Sequence, residues 1–146
     1  PITVKGHKME LLIDRVDKDH LVDRLALPEL VKFAERQEFQ SPAVTEYLKT
    51  NFSQYDFTKF SAVVLGCTHF NYFKDTMRAL LPPTVHFVDG NEGTVKELRH
   101  QLQERNQLEN VTQSVEYYYS GKKVTALLEL ERLRIFMKQL DKMYSI

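Results

Sequence analysis

Only one cysteine stands among the 146 residues of this chain, and tryptophan is absent. A lone thiol cannot close an internal disulfide or build a multi-cysteine metal cage. The sulfur of Cys67 is therefore a nucleophile, an acid or base, or a small apolar core group. Glycine and proline number five each, and no internal repeat, low-complexity tract or interdomain linker is visible. Charge of one sign is missing as well. Lys plus Arg and Asp plus Glu are 20 each, so no global field draws in nucleic acid or an anionic membrane. No apolar run approaches the ~20 residues of a membrane span. The opening Pro1-Ile2-Thr3-Val4 carries neither a Met nor the regions of a signal peptide. These absences lead us to expect a cytoplasmic protein with no membrane or nucleic-acid partner, and a chain that belongs to something longer. What is present, 42% hydrophobic residues, suffices for one globular unit with a sizeable core.

Periodicity orders the first half. Val4, Met9, Leu12, Ile13 and Val16 share a helical face over 4–16, and residues 18–20 end it. The stretch 21–27 reads as an edge strand or a turn. Pro28 opens a helix, and Ser41-Pro42 opens the next as N-cap and first helical residue, with the helix running over 43–51. After a polar, aromatic connection, 61–65 is an apolar strand of the kind covered on both faces in a parallel sheet. The spacing then predicts a helix over 70–81 stopped by Pro82-Pro83, a strand over 84–88, turn chemistry at Asp89-Gly90-Asn91 and a helix over 94–105. Strand, helix, strand, helix is the βαβ pattern, so the fold class is α/β with a parallel sheet flanked by helices. Further on, 115–119 reads as a strand and Ser120-Gly121 as a turn. A final long helix carries an apolar stripe through Leu127, Leu130, Leu133, Ile135, Phe136 and Leu140.

Chemistry concentrates at Cys67-Thr68-His69, after Gly66, where a strand gives way to a helix. Open α/β sheets bind ligands at such ends, because free N–H groups and the helix dipole point into the crevice. Cys67 reads as a buried core thiol or as a thiolate stabilised by the helix start and a neighbouring imidazole. Thr68 reads as a helix cap or as a hydrogen-bond donor to a carboxylate, and His69 as a packing residue or part of the site. His7, His20, His86 and His100 lack metal-ligand spacing, so no metal is assigned. Lys74 does not complete a phosphate-cradling cysteine loop, and a Cys-His hydrolase stays open. Glu35 reads as an exposed helical carboxylate, Tyr117-Tyr118-Tyr119 as strand packing and Asp89-Gly90 as a turn.

The run Val63-Val64-Leu65-Gly66-Cys67-Thr68-His69-Phe70 resembles the second cysteine motif of the glutamate racemase family, a branch of the aspartate/glutamate racemase superfamily. Pro1-Ile2-Thr3-Val4 is similar to the end of its Gly-Thr-Pro-x-Thr-Val stretch. Ala26-Leu27-Pro28-Glu29-Leu30-Val31 through Glu35 is similar to its Ala-Cys-Pro-x-Phe-Val segment ending in Glu, and Phe87-Val88-Asp89-Gly90 to its Val-Asp-x-Gly. The resemblance covers roughly residues 1 to 95, and Tyr119-Ser120-Gly121 resembles a segment of longer members. There are departures. Leu27 replaces a cysteine, Asn71 stands where proline is common, and Asp89-Gly90-Asn91 alters a turn. The family's Asp-Ser-Gly, Tyr-Gly and Cys-Asn-Thr segments have no counterpart.

The resemblance implies a C-terminal portion of a racemase: an α/β unit over 1–90 and a segment over 91–146 that packs on a missing N-terminal domain or another partner. It implies interconversion of L- and D-glutamate for bacterial peptidoglycan without any cofactor, by two cysteines on opposite faces of the α-carbon. Cys67 would be one of them, acting as base on L-glutamate. Thr68 would bind a substrate carboxylate, His69 would support Cys67 or the substrate, and Glu35 would orient His69 from behind. Unmatched helix faces further imply a homo-oligomer. The contrasting expectation is a binding or interaction module that kept the scaffold without the catalysis.

Overall fold

The computed structural model describes residues 6–109 and 114–146. Its elements, in chain order, are α1 (His7–Val16), α2 (Pro28–Glu35), α3 (Pro42–Phe52), β1 (Ala62–Val64), a 3-10 helix (Thr68–Phe73) and α4 (Lys74–Leu80). There follow β2 (His86–Val88), α5 (Asn91–Glu104), β3 (Tyr118–Tyr119), β4 (Lys122–Lys123) and α6 (Leu127–Met143). The expected α/β architecture is present. β1 pairs with β2 in parallel, Ala62 opposite His86 and Val64 opposite Val88, with α4 as the crossover.

The helix starts follow the anticipated chemistry. Pro28 and Pro42 occupy first turns, where a missing N–H costs nothing, and the Ser41 side chain accepts from the Val44 N–H at 3.4 Å. α2, α3 and α4 turn Leu30, Ala34, Val44, Leu48 and Met77 inward, where they meet Leu65, Phe73 and Val85 in one apolar core. Aromatic rings extend it: Phe39 lies 5.3 Å from Tyr72 and 5.9 Å from Phe136 between ring centroids. Phe136 belongs to α6, which rests on the 3-10 helix. Gln139 donates to the Tyr72 carbonyl at 2.8 Å, and Arg132 donates to the Glu35 carbonyl at 3.2 Å.

Several elements differ from the sequence reading. Residues 21–27 form no strand. β1 is not covered on both faces: Val63 packs against the core while Val64 is 71% exposed. The span read as one helix over 70–81 divides into the 3-10 helix and α4, because the Thr68 carbonyl, which an α-helix would offer to the Tyr72 N–H, accepts from the Asn71 side chain at 3.3 Å. α5 begins at Asn91, three residues before the expected start, since the Asp89 carboxylate accepts from the Asn91 N–H at 2.9 Å and prepares the first turn. The strand over 115–119 shortens to β3, paired antiparallel with β4 across Ser120 and Gly121, whose φ values of 47° and 79° suit a tight hairpin turn. The expected helical residue Val4 lies outside the described residues.

Candidate active site

β1 delivers the chain to its carboxyl end and there the backbone turns sharply. The Leu65 N–H still donates to the Val88 carbonyl at 2.8 Å, and the Gly66 N–H to the Val64 carbonyl at 3.1 Å. Cys67 follows in extended conformation as the N-cap of the 3-10 helix, its carbonyl accepting from the Phe70 N–H at 3.0 Å. This turn brings the Cys67 Sγ to 3.7 Å from His69 Nδ1, both residues half-buried. A thiol and an imidazole at this separation can exchange a proton or share it, the tautomer deciding which group donates. The His69 ring is in turn edge-on to Tyr72, with 6.4 Å between centroids.

Thr68 is exposed beside the pair and does not cap the helix, since Cys67 holds the cap position. Glu35, the last residue of α2, is exposed, and it is its carbonyl that bonds, to Arg132 of α6. The structure thus brings together Cys67, Thr68 and His69. Among the described residues it does not join the Glu35 carboxylate to His69 through a hydrogen bond or ion pair. Nor do three His, Cys, Asp or Glu side chains there form a group able to hold a metal ion.

Two polar features at this end of the sheet escaped the reading of the sequence. The Lys74 Nζ lies 2.8 Å from the Asp89 carboxylate, with 13% and 16% of the two side chains exposed. This pair ties the start of α4 to the end of β2. The Lys74 ammonium, and then the Asn91 N–H, hold the Asp89 carboxyl below the usual carboxylate range. The Val-Asp-x-Gly likeness marked Asp89, but nothing local linked it to a lysine fifteen positions earlier. The other feature is Asn71, buried in the turn itself.

Behind the turn lies a cavity of about 480 Å³, lined by Met9, Leu12 and Ile13 of α1 and by Val64, Gly66, Cys67 and Phe70. Its walls are chiefly aliphatic. The sulfur therefore sits between an apolar hollow on one side and the polar groups of Thr68 and His69 on the other.

Fold and site together define an α/β protein with a thiol-imidazole pair at the carboxyl end of a parallel strand, a class suited to acid-base or nucleophilic chemistry at carbon. No family model matches the chain. Individual proteins do. It is 48% identical over all 146 residues to a glutamate racemase of Campylobacter curvus, covering 55% of that protein. It is 45% identical over its whole length to a glutamate racemase of Campylobacter concisus, covering 56% of it. It is also 36% identical over 140 residues to glutamate racemase 2 of Bacillus subtilis, covering 53%. The chain is thus similar along its length to glutamate racemases, and it spans about half the length of the curated relatives it matches.

Proposed function

We propose that this chain supplies one of the two catalytic thiols of a cofactor-independent glutamate racemase. The observation that carries the reading is the Cys67 Sγ 3.7 Å from His69 Nδ1 at a strand end, with the exposed residue Thr68 between them in the chain. Inverting a stereocentre by proton transfer takes a base on one face of the α-carbon and an acid on the other. As a thiolate, Cys67 removes the α-proton of L-glutamate, and the electron pair left on carbon is delocalised into the substrate carboxylate. Thr68 and the N–H groups at the start of the 3-10 helix hold that carboxylate and stabilise its growing charge. A thiol on the opposite face then delivers a proton and D-glutamate results. In the reverse direction Cys67 is the acid. His69 accepts or returns the proton of Cys67, and Glu35 positions His69 once the active site is closed.

Cys67 is the only cysteine of the chain, so the opposing thiol must come from the remainder of a longer racemase or from a partner chain. α5 supports this. It has no buried residue and exposes Val95 and Leu98, which makes it the natural part of the 91–146 segment to dock on that remainder. The product would feed peptidoglycan synthesis in a bacterial cytoplasm.

Solvent deuterium incorporation at the glutamate α-carbon tests the reading. The 146-residue chain alone should exchange at background rate. Mixed with the N-terminal portion of a related racemase it should exchange, and Cys67→Ser should lower exchange from L-glutamate by on the order of 100-fold or more. Undiminished exchange by the Cys67→Ser mixture would overturn the assignment. Acyl trapping on Cys67 would point instead to a hydrolase.

A further inference from the structure

We propose that Asn71 is a positioning residue for the Cys67–His69 pair, fixing the turn that carries both by clamping the Thr68 carbonyl. The inference rests on the reading of Cys67 and His69 as a working acid-base pair. Asn71 is only 4% exposed, and its Nδ2 donates to the Thr68 carbonyl at 3.3 Å. Because a carbonyl accepts only from the amide nitrogen, that bond also settles which end of the amide is the oxygen. The Oδ1 atom is buried and without a partner among the described residues.

A half-satisfied amide is a poor core filler. An apolar side chain of similar volume would leave no buried amide oxygen unpaired, at the loss of one donor to the Thr68 carbonyl. Local rules broken in this way gather at functional sites, where geometry is worth more than stability. The geometry concerned is visible. The Cys67 carbonyl is tied to the Phe70 N–H and the Thr68 carbonyl to the Asn71 side chain, so two successive peptides are fixed between the thiol and the imidazole. The 3.7 Å approach of Sγ to Nδ1 depends on those peptides.

Alkylation by iodoacetamide tests this on the 146-residue chain itself, because Cys67 is its only thiol. An imidazole 3.7 Å away can take the thiol proton as the sulfur attacks, so loosening the turn should slow the reaction. We expect Asn71→Leu to slow alkylation about fivefold when His69 is present and less than about twofold in a His69→Ala background. The thermal midpoint of Asn71→Leu should hold or rise. Should Asn71→Leu fail to fold, Asn71→Ala is carried through the same cycle. An unchanged rate, or equal slowing in both backgrounds, would overturn the proposal, since a merely structural residue does not act through His69. No racemase assay enters the cycle, so a failure of the racemase reading is seen separately in the exchange experiment.

Discussion

At the scale of single residues, the carboxyl end of the sheet depends on a few polar contacts, of which Lys74 with Asp89 is the most buried ion pair. Their 2.8 Å separation, with 13% and 16% exposure, places the pair between a weak surface bridge and a fully desolvated one. Replacing Lys74 by Met leaves a mostly buried carboxylate unpaired, and the expected loss is roughly 1–2 kcal/mol, read as a lower urea midpoint at neutral pH. The pH dependence has a definite sign. Lys74 and the Asn91 N–H lower the Asp89 pKa in the folded protein, so the unfolded chain takes up the proton first as pH falls. The contribution is complete above the unfolded value of about 4 and fades as the pH drops through the lower folded value. Asp17 and Asp56 are also lowered by hydrogen bonds, from the Leu21 and Val22 N–H groups and from Thr58 respectively, and they add to the acid sensitivity in the same direction. A difference measurement isolates Asp89. The stability gap between the natural chain and Asp89→Asn should be open at pH 7 and should narrow progressively as the pH falls below about 4; a gap independent of pH would show that Asp89 acts without its charge.

At the scale of elements, the least anticipated feature is how α6 reaches the site. Phe136 packs 5.9 Å from Phe39 and 5.3 Å from Tyr72, and Tyr72 meets the His69 ring edge-on. Phe136→Ala should cost about 2 kcal/mol, less than a fully buried phenylalanine because the ring is half-buried. It should also free α6, seen as proteolytic cleavage near Arg132 and Lys138 before the rest of the chain is cut; cleavage unchanged from the natural chain would mean that α6 is held mainly by its polar ties. The sequence carried the capping signals at Ser41 and the prolines of α2 and α3, because those are local rules; of the stripe read on α6, Leu127 and Ile135 are exposed, and the buried positions are Gln139 and Met143. Cys67, Thr68 and His69 were legible for the same reason: they are neighbours in the chain. What was not legible depends on distance. Competition by the Asn71 side chain for the Thr68 carbonyl converts a predicted helix into a 3-10 turn, and the Lys74–Asp89 pair joins two elements that no spacing rule connects. Glu35 shows the converse, a residue marked by a motif whose carboxylate makes no hydrogen bond or ion pair among the described residues.

At the scale of the whole molecule, the apolar surface left in water decides behaviour. Val64 of β1 is 71% exposed and Val88 of β2 47%, at the carboxyl end of the sheet that also carries Cys67. On α5, Val95 and Leu98 are 64% and 57% exposed, three positions apart and so on one helical face. Leu127 and Leu128 at the start of α6 are more exposed still. Single exposed aliphatic residues are ordinary, but a run of them along a strand end and a helix with no buried residue is a surface that gains by being covered. In the racemase assembly proposed above, the rest of the enzyme or a second copy of the chain would cover it. Alone, it should therefore self-associate. Sedimentation should give a weight-average mass that rises with concentration up to the order of 100 μM, and an apolar dye should bind more at the low end of that range. The double change Val95→Lys with Leu98→Lys should return the mass toward one chain without lowering the thermal midpoint, because neither side chain contributes to the core. Addition of the N-terminal portion of a related racemase should compete with self-association for the same helix, so dye binding should fall and the mass should settle at that of a one-to-one complex as glutamate exchange appears. A chain that stays monomeric across that range and takes up no dye would show that these residues need no partner, and would leave α5 without a part in the assembly.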